Sequence, residues 1–411
     1  MIRRSVGSIG QTGAMPAVPA DSLRSDTLDL LRQRTSAKWR TYPNDVLPLF
    51  VAEMDYPLAA PLAAAFRAVI ERSDVGYIGS PDAVGTAFSS FAATRWGWSI
   101  DATGIRTTTD VSVAIVETLR QAVAPGSAIV IMPPVYAPFF ELVPEAGCVV
   151  VEVPLNDDGE TCSIDLDGLE RAFEAGAKGV LLCNPHNPLG LVHTRETLSA
   201  VAALAERYGA IVVSDEIHGP LVHPGVTFTP YLSVSDAARR HAVAVTSASK
   251  GWNVAGAKCA LMVAAGPEML ALLDAMPAEV SMRTSQFGLH GSVAAFTDGE
   301  PWLDGALACI GRSADLLEEL LAEHLPEVRF RRPQASYLAW LDFRALAWGD
   351  DPSIRALEEA AVALNPGPSF GSPGRGFARL NLACSAEVLT EAVRRLASAE
   401  AAAGAGRGTD R

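Results

Sequence analysis

Thr246-Ser-Ala-Ser-Lys250-Gly-Trp-Asn-Val-Ala-Gly-Ala-Lys258 is the stretch on which the fold turns. The apolar run Ala242–Thr246 ahead of it predicts a short buried strand, which breaks into a loop of small hydroxyl residues ending in Lys250. A lysine just past a buried strand loses part of its ammonium hydration, which lowers its pKa and suits it to Schiff-base chemistry. Ser247, Ser249 and Lys258 supply the hydroxyl donors and the cation that a phosphate needs. A Schiff-base lysine beside a phosphate cradle points to pyridoxal phosphate. The same residues also read as a plain Ser-rich surface turn.

Ser247-x-x-Lys250 is also the nucleophile pair of penicillin-binding proteins and serine β-lactamases. That chemistry needs a helix N-terminus at the serine and a Lys-Thr-Gly strand downstream. Here the pair follows a strand, and no Lys-Thr-Gly occurs anywhere in the chain.

Outward from this stretch the pattern alternates strand and helix, as in an α/β sheet covered on both faces. Strands are expected at 105–109, 127–132, 148–153, 178–183 and 210–215. Helices are expected at 22–34, 59–72, 81–96, about 110–124 and 195–208. In such sheets ligands sit beyond the carboxyl ends of the strands. Asp110, Asn187, Asp215 and Lys250 all fall at such ends, so four separate loops converge on one edge. After about residue 300 the texture changes. A long helix at 301–324, a strand at 336–342, a helix near 353–364 and a strand at 377–382 predict a compact α+β unit.

The chain has 411 residues, 49% hydrophobic and 19% charged, as expected of a large domain with a smaller companion. A formal net charge of −14 argues against nucleic acid or an anionic membrane as partner. No run is long and apolar enough for a membrane span. Six scattered cysteines, without a CxxC pair or a metal-ligand set, fit reduced residues in the cytoplasm. The expected organisation is a disordered tail over 1–20 and an N-terminal arm over 21–58 that joins the smaller unit. The large cofactor-binding unit spans 59–300, the C-terminal smaller unit 301–400, and a second disordered tail 401–411.

Together these segments resemble the fold-type I, aspartate-aminotransferase-like pyridoxal phosphate enzymes, in particular the MalY/PatB-like cystathionine β-lyase branch. The resemblance rests on Lys38-Trp39, Val51-Ala-Glu-Met-Asp55, Gly76-Tyr77, Cys183-Asn-Pro-His-Asn-Pro-Leu-Gly190 and Ser214-Asp-Glu-Ile-His218. The lysine loop, Pro301-Trp-Leu-Asp304, Ser336-Tyr-Leu-Ala-Trp-Leu-Asp342 and Gly376-Phe-Ala-Arg-Leu-Asn381 complete it. It implies Lys250 as Schiff-base residue and base, Asp215 facing the ring nitrogen, and Asn187 on the ring's phenolic oxygen. Tyr136 and Ile217 would flank the ring. Ser247, Ser249, Lys258 and the N–H groups of Val111 and Ser112 would hold the phosphate, together with Tyr77 from a second subunit of a homodimer. Arg379 would grip the substrate carboxylate, with Tyr136, Asp55 and Asn187 also on the substrate side, and Tyr77 or Tyr136 could assist catalysis.

Three positions depart from the family pattern: Asp110-Val-Ser112 for Gly-Val-Val, Glu53 for Asp, and Leu189 for Thr. A carboxylate at position 110 repels a phosphate unless it is compensated. The implied activity is β-elimination of a thiol from an S-substituted cysteine, giving pyruvate and ammonia. The alternatives are an aminotransferase, a decarboxylating or oxidative enzyme of specialised biosynthesis, and a regulatory partner-binding protein.

Overall fold

The computed structural model describes residues 23–407. Seven strands form the main sheet in the order Ile105–Thr108, Ala260–Val263, Ala242–Thr246, Ile211–Asp215, Gly179–Cys183, Ala128–Ile131, Val149–Glu152. Ala260–Val263 is antiparallel to both its neighbours, and all other pairs are parallel. The three central strands are buried along their whole length, as continuous Val, Leu, Ile and Ala runs require when both faces are covered. Two apolar clusters fill the two faces.

Helix ends follow local chemistry. Asp110 caps Val111–Ala122 by accepting the Val113 N–H at 3.0 Å. Arg195–Tyr208 stops at Gly209, whose φ of 61° places it in the left-handed region. Gly190, which closes the Asn-Pro-Leu-Gly turn, has a φ of 62°, and a Cβ there would lie 2.6 Å from the Ala335 carbonyl oxygen. Only glycine fits that close approach.

A second, antiparallel sheet runs in the order Arg329–Phe330, Leu338–Asp342, Phe377–Asn381, Asn365–Pro366. The 25-residue helix Glu300–His324 and the helix Ala386–Arg407 pack together beside it. The N-terminal arm reaches this unit directly, since Leu47–Pro48 pairs in parallel with Val362–Ala363. Among the described residues, no helix is long and apolar enough to cross a membrane.

Three sequence expectations need correction. The helix expected over 22–34 is only Leu28–Leu31, because the chain before it is extended, with the Asp26 N–H bonded to the Asp55 carbonyl at 2.9 Å. The helix near 353–364 ends at Ala360, where Ala361 turns left-handed at a φ of 51° and frees the next two residues to pair with the arm. The disorder expected from residue 401 does not begin there: helix continues to Arg407. The tail expected over 1–20 lies outside the described residues.

Candidate active site

The carboxyl ends of the main-sheet strands open into a cavity of about 400 Å³, closed on its far side by residues 50–52 and Arg379. Lys250, Asp215, Asn187, Tyr136, Ile217, Val111, Ser112, Ser249 and Lys258 all line it. A larger cleft of about 990 Å³ lies between the arm and the C-terminal helix, but none of the predicted site residues lines it.

Lys250 is partly buried and donates to the Ala52 carbonyl at 2.9 Å. Burial lowers its pKa to about 8, helped by the Arg379 charge and opposed by Asp215 and Glu53. Its amine is therefore accessible near neutral pH as a nucleophile or base. Asp215 is buried, forms no ion pair among the described residues and accepts the Ile217 N–H at 3.1 Å. Burial raises its carboxyl to about 7 against that hydrogen bond and the Lys250 charge. A buried carboxylate without a cation is completed by a protonated ring nitrogen.

At the other end of the cavity, Val111 and Ser112 begin a helix, where free N–H groups favour an anion. Lys258 pairs with Asp110 at 3.1 Å. One Asp110 oxygen thus serves the helix cap and the other serves Lys258, so the carboxylate in this departure is compensated within the chain. An amine, an unpaired carboxyl and a helix N-terminus in one cavity match the reactive carbon, ring nitrogen and phosphate of pyridoxal phosphate. The group fits.

Arg379 is buried, with one terminal nitrogen on the Asn187 amide oxygen at 3.1 Å and the other on the Phe50 carbonyl at 3.0 Å. Its guanidinium lies over Phe370 at 5.1 Å, and its Nε has no partner. Burial lowers its pKa to about 10. A buried guanidinium with no carboxylate partner is set up to receive one from a ligand. Tyr136 faces the same cavity, its hydroxyl pushed up to about 12 by burial and then by Asp215.

Three predicted residues stand apart from the cavity. Asp55 is 1% exposed and bound to Lys38 at 2.6 Å, so it is an internal counter-ion and not a substrate contact. Ser247 is also buried. It donates to the Cys259 carbonyl at 2.6 Å, caps Ala248–Gly251 by accepting the Ser249 N–H at 3.1 Å, and touches the Ser249 hydroxyl. It shapes the loop, and Ser249 is the serine that reaches the cavity. This cap also supplies the helix N-terminus that the β-lactamase-type pair needs, so the missing Lys-Thr-Gly is what excludes that chemistry. Tyr77 is 87% exposed and does not line the cavity of its own chain.

Sequence reasoning gave no role to Tyr337, which donates to the Ala52 carbonyl at 3.0 Å, or to Asn253, which brackets the backbone of Met54. It also missed His218. This is the one described buried histidine with no hydrogen-bond partner, and it lines the cavity three residues past Asp215. That spacing was the available signal.

Fold and site together define an enzyme of the aminotransferase type: the chain belongs to the class I and II aminotransferase family, whose model matches residues 51–396. It is similar to the "Putative cystathionine beta-lyase" of Mycobacterium tuberculosis, with 43% identity over 90% of this chain and 96% of that protein. It is 35% identical to the cystathionine β-lyase of Corynebacterium glutamicum, covering 92% of this chain and 100% of that one. Among solved structures, cystalysin from Treponema denticola, which contains pyridoxal 5′-phosphate, superimposes with a TM-score of 0.84 at 26% identity. The match covers 90% of this chain and 96% of that one.

Proposed function

We propose that this chain is a pyridoxal phosphate-dependent carbon–sulfur β-lyase that cleaves an S-substituted cysteine to thiol, pyruvate and ammonia. One observation carries the reading: a lysine amine lowered to about 8 and a buried arginine without a carboxylate partner face a single cavity. The names of the similar proteins favour elimination over transamination.

Arg379 binds the substrate carboxylate through two N–H groups and so fixes the α-carbon relative to Lys250. Lys250 takes the α-proton: the C–H bond breaks, an N–H bond forms, and the electron pair stays on the substrate side. Pyridoxal phosphate, when bound, supplies the sink for that pair. Asp215 would hold a proton on the ring nitrogen, Asn187 would offer its amide to the phenolic oxygen, and Tyr136 and Ile217, which line the cavity, would flank the ring. Val111, Ser112, Ser249 and Lys258 would hold its phosphate. The Cβ–S bond then breaks with its electrons going to sulfur, while the α-carbon's electron pair becomes the Cα–Cβ double bond. Sulfur takes a proton from water, and water hydrolyses the released enamine to pyruvate and ammonia. A thiol with a pKa of about 8.5 leaves without a strong acid.

The active form in this reading is a homodimer in which Tyr77 reaches the partner's phosphate. Its 87% exposure, beside Val75 at 64%, supports a role outside its own chain. Mixing Lys250→Ala subunits with Tyr77→Phe subunits should restore activity, and a monomer by light scattering would refute this arrangement. The two sheets support separate units over 59–300 and 301–400, with the arm 21–58 joined to the second. Six free cysteines, five of them buried, support the cytoplasm as the compartment.

The deciding experiment incubates the loaded enzyme with cystathionine and other cysteine S-conjugates. Equal amounts of thiol and pyruvate over many turnovers are expected. If alanine or glutamate bleaches the visible absorbance, a keto acid restores it and no thiol appears, the chain is an aminotransferase.

A further inference from the structure

Residues 49–54 form a strap whose middle, residues 50–52, crosses the cavity, and every carbonyl of the strap accepts a hydrogen bond from outside it. Leu49, Val51 and Glu53 are held by Asn381, Phe50 by Arg379, and Met54 by Asn253 and Arg34. The Asn253 side chain also accepts the Met54 N–H at 2.8 Å, and Lys38 adds a bond to Glu53 at 3.0 Å. A segment pinned at each residue is a fixed surface and not a lid. At its centre, the Ala52 oxygen receives two donors, the Lys250 amine at 2.9 Å and the Tyr337 hydroxyl at 3.0 Å.

We propose that Tyr337 is a positioning residue for Lys250, acting through the Ala52 carbonyl. A carbonyl oxygen has two lone pairs. With Tyr337 on one, a single direction remains for the lysine, so the free amine sits in one orientation. It donates one N–H to Ala52 and keeps its own lone pair available for the substrate α-proton. Tyr337 is fully buried, yet satisfying its hydroxyl is not a general demand of this core. Tyr231 is fully buried with an unpartnered hydroxyl. The bond to this particular carbonyl is what distinguishes Tyr337.

This inference rests on the reading of Lys250 as the amine that carries the α-proton. The test is exchange of the α-proton of L-alanine in D₂O, followed by NMR with loaded wild type, Tyr337→Phe and Asn253→Ala. Phenylalanine keeps the buried ring and removes only the hydroxyl. Tyr337→Phe should exchange about tenfold more slowly at saturating alanine, with half-saturation and cofactor content unchanged. A crystal structure of the cofactor-free variant should show Lys250 in more than one rotamer or off Ala52. Asn253→Ala, which loosens the strap at Met54, should slow exchange in the same direction and by less. It decides the matter alone if Tyr337→Phe does not fold. Exchange at the wild-type rate overturns the inference. So does a loss that only tracks lost cofactor and lost stability, or Lys250 unmoved on Ala52. Absence of exchange in wild type overturns the reading of Lys250 as well, so the two failures are told apart.

Discussion

On the sheet side of the cavity, each ligand-facing residue lies at or within a few residues of the end of its own strand. Asp215 ends Ile211–Asp215, Asn187 follows Gly179–Cys183, Lys250 follows Ala242–Thr246, and Val111 opens the helix after Ile105–Thr108. The opposite wall has no such economy. Ala52 and Arg379, which line it, and Tyr337 and Asn381, which hold the strap behind it, come from distant parts of the chain, joined by hydrogen bonds that span up to 330 residues. One wall is specified locally by strand ends, the other by long-range pairing to the backbone of the strap. Disturbing the first should change chemistry and cofactor, and disturbing the second should change stability and the fit of the amino acid.

Lys250→Ala makes the sharpest test of the sheet side. Loss of the amine placed for Schiff-base and proton chemistry should lower turnover by roughly a thousandfold or more. The yellow colour and covalent trapping by hydride should disappear too, while thermal stability of the cofactor-free protein stays near wild type. A trapped adduct on Lys258 would put the reactive amine at the wrong end of the cavity and reverse the assignment. On the strap side, Lys38→Met leaves the buried Asp55 carboxyl without its partner at 2.6 Å. Breaking such a pair costs about 3–5 kcal/mol, to be read from urea unfolding of the cofactor-free protein. Wild-type stability in that variant would mean that the strap is not held from the arm.

The same contrast explains what was legible in the sequence. Strand runs such as Gly179–Cys183 and Ile211–Asp215 are short, apolar and bounded by polar motifs, so their positions and the residues just past them could be placed from the chain alone. Asp55 misled because its motif lies beside the site in sequence while its carboxylate turns inward to Lys38. Ser247 misled for a similar reason, since a serine before a short helix turns to cap it. Tyr337 carried no local signal. Its partner is a backbone carbonyl 285 residues away, and backbone carbonyls are the same in every sequence. The early end of the helix at Ala360 was equally invisible, because it depends on pairing with the arm at Leu47–Pro48.

Arg379→Lys probes the junction of the two walls, where the guanidinium bridges Asn187 on one and Phe50 on the other. A lysine keeps the charge but cannot satisfy both partners and a substrate carboxylate in one plane. Losing one charge-assisted hydrogen bond is worth about 1.5–3 kcal/mol. KM should therefore rise roughly ten- to a hundredfold, with cofactor content unchanged. A fall in cofactor content with KM preserved would move Arg379 from the substrate to the cofactor.

The smallest effect concerns the carboxyl next to Asp215. Glu216 is buried beneath the sheet edge, where one oxygen accepts the Tyr231 N–H at 2.7 Å and the Ser214 hydroxyl at 3.1 Å. Burial raises it to about 8, and Asp215 is raised to about 7. Both folded-state values lie above those of an unfolded chain. Through these two groups the folded protein holds more protons than the unfolded one between about pH 5 and 7–8, so their contribution to stability falls as pH rises through that window. Buried His186 and His193 have the opposite sign: burial lowers them to about 4 and 3, so stability falls as pH drops below about 6.5, where the unfolded histidines take up protons. Cofactor-free protein should thus be most stable at mildly acidic pH. Glu216→Gln keeps an acceptor oxygen but has no proton to lose. It should flatten the alkaline limb, the fall in stability between about pH 6.5 and 8, by on the order of 1 kcal/mol per pH unit. It should also steepen the acid limb below 6.5 by a similar amount, because the extra proton is held across the whole window down to the unfolded carboxyl's pKa, as urea midpoints from pH 5 to 9 would show. Lys38→Met, by contrast, should lower the curve without flattening the alkaline limb. If Glu216→Gln leaves the alkaline slope as steep as wild type, the buried carboxyl of the sheet edge is not its source.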